Sequence, residues 1–144
     1  MLTAKHIMNK DVITVKRDTP IYQSMELMVK NRITGIPVVE DDMSPVGMIS
    51  EKDILHFFDH QQDLEEKTVN DFMTRPVLCF DENDSMSEVC NLLAKQIFRR
   101  VPITSEGKIV GIISRADIIE HIVKTKKAAN NIPKQLSEHQ QQGN

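Results

Sequence analysis

Residues 36–54, IPVVEDDMSPVGMISEKDI, and residues 101–118, VPITSEGKIVGIISRADI, decide the fold, because the second stretch reads as a copy of the first. Both run from an apolar segment around a proline, through a polar turn, to a Gly-x-x-Ser-x-x-Asp sequence. Pro37 and Pro102 are 65 residues apart, whereas Gly47 and Gly111 are 64 apart, so the first turn is one residue longer. Turns tolerate such changes of length. The match indicates an internal duplication.

The duplication extends outward over residues 4–58 and 69–122. Each copy predicts a short helical turn, a short strand, a helix, two further strands and a last helix. In the first copy we expect these elements at residues 3–8, 12–15, 19–31, 36–39, 46–50 and 51–58. In the second copy, strands are expected at 77–80, 101–104 and 108–114, and helices at 84–95 and 115–123.

This order of elements predicts a mixed α/β (α+β) protein with two repeats that pack on each other about a pseudo-two-fold axis. Each repeat is too short to be stable alone, since a small domain buries little apolar surface. The first repeat is placed at residues 1–58, a polar linker at 59–68 and the second repeat at 69–124. Residues 125–144 are almost free of apolar side chains, which predicts a disordered tail.

Composition narrows the function classes. The formal net charge is −3, so no overall basic field attracts nucleic acid or an anionic membrane. No apolar run approaches the roughly 18 residues that span a bilayer, and the charged N-terminus is unlike a signal peptide. Two cysteines, Cys79 and Cys90, are too few for a disulfide framework, which predicts buried or free thiols. We therefore expect a cytoplasmic protein with no membrane insertion and no nucleic-acid partner.

The sequence that ends both copies carries the chemistry. We name residues 47–54 the first motif and residues 111–118 the second motif. The simpler interpretation of Ser-x-x-Asp is a capping box, in which the serine and the aspartate close the first turn of a helix. The functional interpretation uses the same geometry: a helix N-terminus and a serine hydroxyl bind a phosphate, and the carboxylate binds the hydroxyls of a ribose.

The repeated combination of the strand proline with Gly-x-x-Ser-x-x-Asp resembles the CBS domain family in its paired form, the Bateman module, as found in stand-alone bacterial-type proteins. The resemblance covers residues 3–124 and implies a three-stranded sheet with helices in each repeat. It also implies two clefts between the repeats, which in relatives hold AMP, ADP, ATP, S-adenosylmethionine, NAD(H) or similar ligands. Many relatives form disc-shaped dimers, so the resemblance implies a homodimer.

The resemblance also implies roles for individual residues. Asp53 and Asp117 would hold ribose groups, and Ser50 and Ser114 would contact phosphates. An arginine three residues before the strand proline often binds phosphate in the family; Arg99 has that position in the second repeat, and Thr34 has it in the first. The adenine slot would be lined by the early strand of the opposite repeat. Slot residues implied in this way are Ile13 and Thr14 for the second motif, Leu78 and Cys79 for the first, and, less directly, Ile33 and Phe98. Core packing is the alternative for the apolar members of this set.

The two candidate sites differ in charge. On the sequence, Arg99, Arg100 and Arg115 group with Ser114 and Asp117, whereas Thr34, Glu51 and Lys52 group with Ser50 and Asp53. Arginine forms paired hydrogen bonds with phosphate oxygens. The hypothesis is that the second-motif site binds a phosphorylated ligand more tightly than the first.

Three classes of function compete. We favour a regulatory module that binds an adenosine-type ligand and modulates a separate effector protein. The alternative is a dimerisation or interaction scaffold that binds no ligand. An enzyme is the least favoured, since no nucleophile–base pair, metal cluster or catalytic cofactor is indicated. His56 and His60 have a helical i, i+4 spacing that could suggest a metal site, but surface histidines are the preferred interpretation.

Overall fold

The computed structural model describes residues 1–56, 64–95 and 99–130. The first repeat forms α1 (Ile21–Asn31), β1 (Gly35–Val39), β2 (Pro45–Ser50) and α2 (Glu51–Leu55). The second forms β3 (Phe80–Asp81), α3 (Met86–Leu93), β4 (Arg100–Ser105), β5 (Lys108–Ser114) and α4 (Arg115–Asn130). A 3₁₀ turn precedes each repeat, at Ala4–His6 and Val69–Asp71. The α+β class is confirmed, and the predicted order of elements holds except for the first strand of the first repeat.

Each repeat is built on an antiparallel hairpin in equivalent register. Gly35 lies opposite Ser50 in the β1–β2 pair, and Arg100 lies opposite Ser114 in the β4–β5 pair. Both hairpins shift register at equivalent positions near the turn, after Val38 and after Ile103, which indicates a β-bulge common to the two copies. The hairpins therefore place the two motifs at corresponding ends of the two sheets.

The predicted strands at 12–15 and 77–80 are wrong in extent. In the first repeat only Val15 pairs, through a single parallel bridge to Val38, so the sheet has two strands rather than three. In the second repeat the pairing begins at Phe80 and forms β3, parallel to β4. Ile13, Val15 and Phe80 of these segments pack in or against the two cores, but few backbone groups of the segments reach the ladder.

The leading turn of each repeat packs against the other repeat. Ala4 is fully buried among core residues of the second repeat, including Met86 and Val89, and its N–H donates to the carbonyl of Asp84 at 2.9 Å. Val69 is fully buried in the first-repeat core, and its N–H donates to the carbonyl of Thr19 at 2.9 Å. The sequence boundaries 1–58 and 69–124 mark the duplication, but each packed unit takes its first turn from the other copy.

The C-terminal helix is longer than the sequence predicts. We expected disorder from residue 125, but α4 continues through Asn130. Lysine and alanine favour helix, and both occur in residues 124–130. Residues 131–144 lie outside the described residues, as do 57–63 of the first repeat and linker. None of the described helices is long and apolar enough to cross a membrane.

Glycine at position 47 permits close packing between the repeats. A Cβ at Gly47 would lie 2.8 Å from the carbonyl oxygen of Thr74, which is part of the backbone and cannot move alone. At Gly35, in the neighbouring strand, the nearest atoms would be 3.5 Å away, an ordinary contact.

We expect Gly47→Ala to lower the free energy of unfolding by about 1–3 kcal/mol, the usual cost of overpacking. Gly35→Ala is the matched control and should be neutral or slightly stabilising, because it only restricts the unfolded chain. Urea unfolding measures both variants. Equal stabilities for the two variants would contradict the close approach at Gly47.

Candidate functional site

Both Ser-x-x-Asp sequences form capping boxes. In the first motif, Asp53 Oδ2 accepts hydrogen bonds from the Ser50 N–H at 2.8 Å and the Ser50 hydroxyl at 2.9 Å, and Ser50 Oγ accepts from the Asp53 N–H. In the second, Asp117 Oδ2 accepts from the Ser114 N–H at 2.8 Å, and Ser114 Oγ accepts from the Asp117 N–H at 3.2 Å. The capping interpretation is confirmed, and ligand roles for the same side chains stay predictions.

A cavity of about 640 Å³ surrounds the first motif, and we name it the first cavity. It contains Ser50 and Asp53 from the first repeat and Leu78 from the opposite repeat, as expected, with Leu78 48% exposed. One side is polar and the other apolar. The lining residues are Thr34, Gly35, Met48, Ser50, Glu51, Lys52, Asp53, Leu55, Thr74, Pro76, Val77, Leu78, Arg99, Arg100 and Pro102.

The structure corrects the grouping of the arginines. Arg99 and Arg100 were grouped with the second motif on the sequence; Arg100 does lie opposite Ser114 and near Asp117, but both arginines also line the first cavity. The reason is geometric: Thr34 and Gly35 open one hairpin, Arg99 and Arg100 open the other, and both hairpin openings meet in this cavity. The first cavity therefore combines the hairpin opening of its own repeat, Thr34 and Gly35, with that of the second repeat, Arg99 and Arg100.

Arg115 also departs from the sequence expectation. Its Nε donates to the carbonyl of Leu93 at 2.7 Å, and its Nη2 donates to the carbonyl of Lys95. These carbonyls lie at the C-terminal end of α3, where cations satisfy unpaired backbone acceptors. The structure thus assigns Arg115 to the helix end and does not bring it into either cavity lining.

Arg100 is the most unusual charged residue of the first cavity. It is half-buried, and its Nε is a buried side-chain nitrogen with no hydrogen-bond partner within residues 1–56, 64–95 and 99–130. Burial lowers the pKa of its guanidinium, while the nearby Asp117 carboxylate opposes that effect. A buried donor without an acceptor is costly, and an arginine remains charged at neutral pH. Arg100 also belongs to the lining of the first cavity, so its guanidinium contributes positive charge there.

A second cavity, of about 420 Å³, lies beside the second motif. Of the predicted site residues that the structure describes, it contains only Asp117. Glu120 in its wall forms an ion pair with Lys124 at 2.8 Å. The second cavity is lined by His6, Ile7, Asn9, Asp117, Glu120, His121 and Lys124.

Several predicted slot residues lie elsewhere. Ile13 and Ile33 pack against the first-repeat core, in agreement with the alternative that these apolar residues serve core packing. Thr14 is half-buried and is not part of either cavity lining. Cys79 neighbours Leu78 but does not line the first cavity. Phe98 lies outside the described residues. Both cysteines are free, and within the described residues no group of three or more His, Cys, Asp or Glu side chains could hold a metal ion.

Sequence reasoning missed the residues that the leading turns bring to the motifs. Thr74 lines the first cavity and donates from Oγ1 to Asp53 Oδ1 at 2.8 Å. Asn9 lines the second cavity beside Asp117. The signal was present in the repeat, because Asn9 and Thr74 are equivalent at the offset of 65 residues. Predicting these positions from the sequence would have required knowing that each leading turn packs against the opposite repeat.

Comparison with known proteins agrees with this arrangement. A family model for the CBS domain matches residues 4–60 and 69–124. The chain belongs to the CBS domain family and contains two CBS domains in tandem.

Three relatives illustrate the likeness. Hypoxic response protein 1 of Mycobacterium tuberculosis is 30% identical over 123 residues, covering 85% of this chain and 86% of the relative; its structure, with two coordinated zinc ions, has a TM-score of 0.74. The structure of CBSX2 from Arabidopsis thaliana in complex with AMP has a TM-score of 0.78 at 28% identity, covering 88% of this chain and 99% of the other. The CBS domain pair of protein MJ0100, in complex with 5-methylthioadenosine and S-adenosyl-L-methionine, has a TM-score of 0.73 at 25% identity and covers 87% and 98%.

Some curated relatives are longer than this chain. It spans 41% to 63% of the length of three of them, the chloroplastic proteins CBSX1 and CBSX2 of Arabidopsis thaliana among them. Inosine-5'-monophosphate dehydrogenases of two archaea also match, over 22% to 23% of their length.

Burial gives Cys79 a measurable property. Burial raises the pKa of the Cys79 thiol to about 11. The thiolate is the reactive form, so the folded protein should suppress modification of this cysteine near neutral pH.

In a Cys90→Ala background, we expect a thiol reagent at pH 8 to modify Cys79 on the order of 100-fold more slowly in the folded chain than in urea. The folded-state rate should rise as the pH approaches the raised pKa. Equal rates in the folded and unfolded chains would contradict the burial of this thiol.

Proposed function

We propose that this protein is a regulatory module that binds a phosphorylated adenosine ligand, such as AMP, ADP or ATP, in the first cavity and catalyses no reaction. The observation that carries the proposal is the cationic part of the first cavity lining, Lys52, Arg99 and Arg100, in which the half-buried Arg100 has a side-chain nitrogen with no acceptor among the described residues. A phosphate oxygen is the acceptor that arginine pairs with best.

The rest of the first cavity suits the other parts of such a ligand. Its volume of about 640 Å³ falls in the range of small-molecule sites. Pro76, Val77 and Leu78 offer an apolar wall for a purine, and Asp53 offers a carboxylate for ribose hydroxyls. Ser50 lies at the beginning of α2, beside the arginines, where it would contact a phosphate.

Charge separates the two cavities and reverses the order of affinity expected from the sequence. In the first lining, the cations Lys52, Arg99 and Arg100 outnumber the anions Glu51 and Asp53. In the second lining, the carboxylates Asp117 and Glu120 outnumber the single lysine, Lys124. We propose that the first cavity takes the phosphorylated ligand, with NAD(H) and its pyrophosphate as a further candidate there, and that the second takes a less anionic one such as S-adenosylmethionine.

The relatives support adenosine-type ligands, since one CBS-pair structure contains AMP and another contains 5-methylthioadenosine and S-adenosyl-L-methionine. A ligand in the first cavity would contact both repeats and so favour one relative packing over another. The effector would be a separate protein that recognises that packing. A cytoplasmic location is part of the same proposal.

A thermal-shift comparison tests the ligand. AMP at about 100 times its dissociation constant should add about 2.7 kcal/mol to the stability of the wild type, raising Tm by several degrees. Arg100→Gln should lose most of that rise because the phosphate partner is removed, whereas Lys30→Gln, which removes an exposed cation from α1, should retain it. No shift with AMP, ADP or ATP would favour the scaffold function.

A second function, dimerisation, is favoured by an exposed apolar stripe on α4. Ile119, Ile122 and Val123 are 60%, 56% and 46% exposed and share one helical face. Glu120 and Lys124, which form an ion pair, lie together along one side of the stripe. Two antiparallel α4 helices related by a two-fold axis would bring opposite charges together, so we propose a second copy of this chain as the occupant.

Ile122→Lys should convert the proposed dimer to a monomer in size-exclusion chromatography with light scattering. Val29→Lys is the matched control, because Val29 is 80% exposed on α1, away from the stripe, and should leave the dimer intact. A monomeric wild type, or a dimer that both variants retain, would contradict pairing through α4.

A further inference from the structure

The carboxylate of Asp53 has little remaining capacity to accept hydrogen bonds. Its Oδ2 accepts from the N–H and the hydroxyl of Ser50, and its Oδ1 accepts from the hydroxyl of Thr74 at 2.8 Å. A carboxylate offers about four lone-pair positions. Two ribose hydroxyls therefore cannot both bind Asp53 while all three bonds persist.

Asp117, the equivalent residue of the second motif, is more open. Within the described part of the chain, its side chain accepts one hydrogen bond, from the Ser114 N–H to Oδ2. Asn9 occupies the position equivalent to Thr74, but its Oδ1 accepts from the N–H of Asp11 at 3.0 Å. The bond between Thr74 and Asp53 is thus a feature of one cavity and not a requirement of the fold.

Thr74 is well placed to act between the repeats. Its backbone exchanges two hydrogen bonds with Met48 of β2, at 2.8 and 3.0 Å, which fixes where its hydroxyl can reach. The chain then continues directly into Pro76, Val77 and Leu78, the apolar wall of the first cavity. Breaking the hydrogen bond between the Thr74 hydroxyl and Asp53 removes this side-chain link between the apolar wall and the first motif.

We propose that the Thr74–Asp53 hydrogen bond is an inter-repeat latch, which the ribose of the ligand must displace to bind Asp53 with both hydroxyls. This inference rests on the proposed function of the first cavity. The latch lowers the affinity of the first cavity, because the ribose must displace the Thr74 hydroxyl, while the backbone bonds of Thr74 to Met48 remain in place. Thr74 is therefore a residue that sets the affinity of the first cavity, and the second cavity lacks an equivalent.

Isothermal titration with AMP tests the latch in the wild type, Thr74→Val and Thr74→Ser. The binding component that Asp53→Ala removes is assigned to the first cavity. Thr74→Val keeps the shape of the side chain but removes the hydroxyl. The affinity of the first cavity for AMP should therefore rise about tenfold, which corresponds to the loss of one hydrogen bond to a charged group. Thr74→Ser keeps a hydroxyl and should bind as the wild type does. Circular dichroism confirms that each variant is folded.

Binding by Thr74→Val that equals or falls below that of the wild type would overturn the latch and leave the proposed function standing. A weaker Thr74→Val, with Thr74→Ser unchanged, would assign Thr74 to direct contact with the ligand. If Thr74→Val binds AMP while the wild type and Thr74→Ser do not, the result would support a latch that keeps AMP out of the wild-type cavity. Failure of every variant, wild type included, to bind AMP would overturn the proposed function and the latch together.

Discussion

Residues 4–9 and 69–74, which we call the leading segments, each pass close to a glycine in the motif of the other repeat. The rest of the structure depends on this close approach. A Cβ at Gly111 would clash with the Met8 side chain, and one at Gly47 would lie 2.8 Å from the Thr74 carbonyl oxygen. The missing side chains let the leading segments cross to the other repeat. The turns behind them then bury Ala4 and Val69 in the opposite cores. The repeats therefore complete each other's cores, which a duplicated chain of small units needs for stability.

The same exchange builds the first cavity from both repeats. Thr74 pairs with Met48 beside Gly47, and the following residues extend along the first motif as far as Leu78. The opening of the second hairpin supplies Arg99 and Arg100 from the other side. A ligand bound there would contact elements from both repeats. Its binding energy would depend on how the repeats sit on each other, which is the physical requirement for a regulatory role.

The sequence was sufficient to predict the elements of the fold but not which residues share a cavity. The hairpins, α1 and both capping boxes follow from proline, glycine and Ser-x-x-Asp signals that act within a few residues. The placement of Arg99 and Arg100 does not, because it depends on how two hairpins face each other across the pseudo-two-fold axis. Arg115 was misplaced for a related reason, since its nearest acceptors, Leu93 and Lys95, are about twenty residues away in the chain. The extension of α4 to Asn130 was missed because exposed lysine and alanine form helix without an apolar face.

The duplication also explains why the two cavities can differ in chemistry within one fold. The capping bonds of Ser50 with Asp53 and of Ser114 with Asp117 hold both motifs in the same local structure. The residues around them contribute little to either core and are free to diverge. Cations predominate around the first motif and carboxylates around the second. Thr74 of one copy and Asn9 of the other occupy equivalent positions but differ in chemistry. A protein with two such cavities can respond differently to two ligands of unlike charge, because each ligand shifts the packing only through the cavity that prefers it.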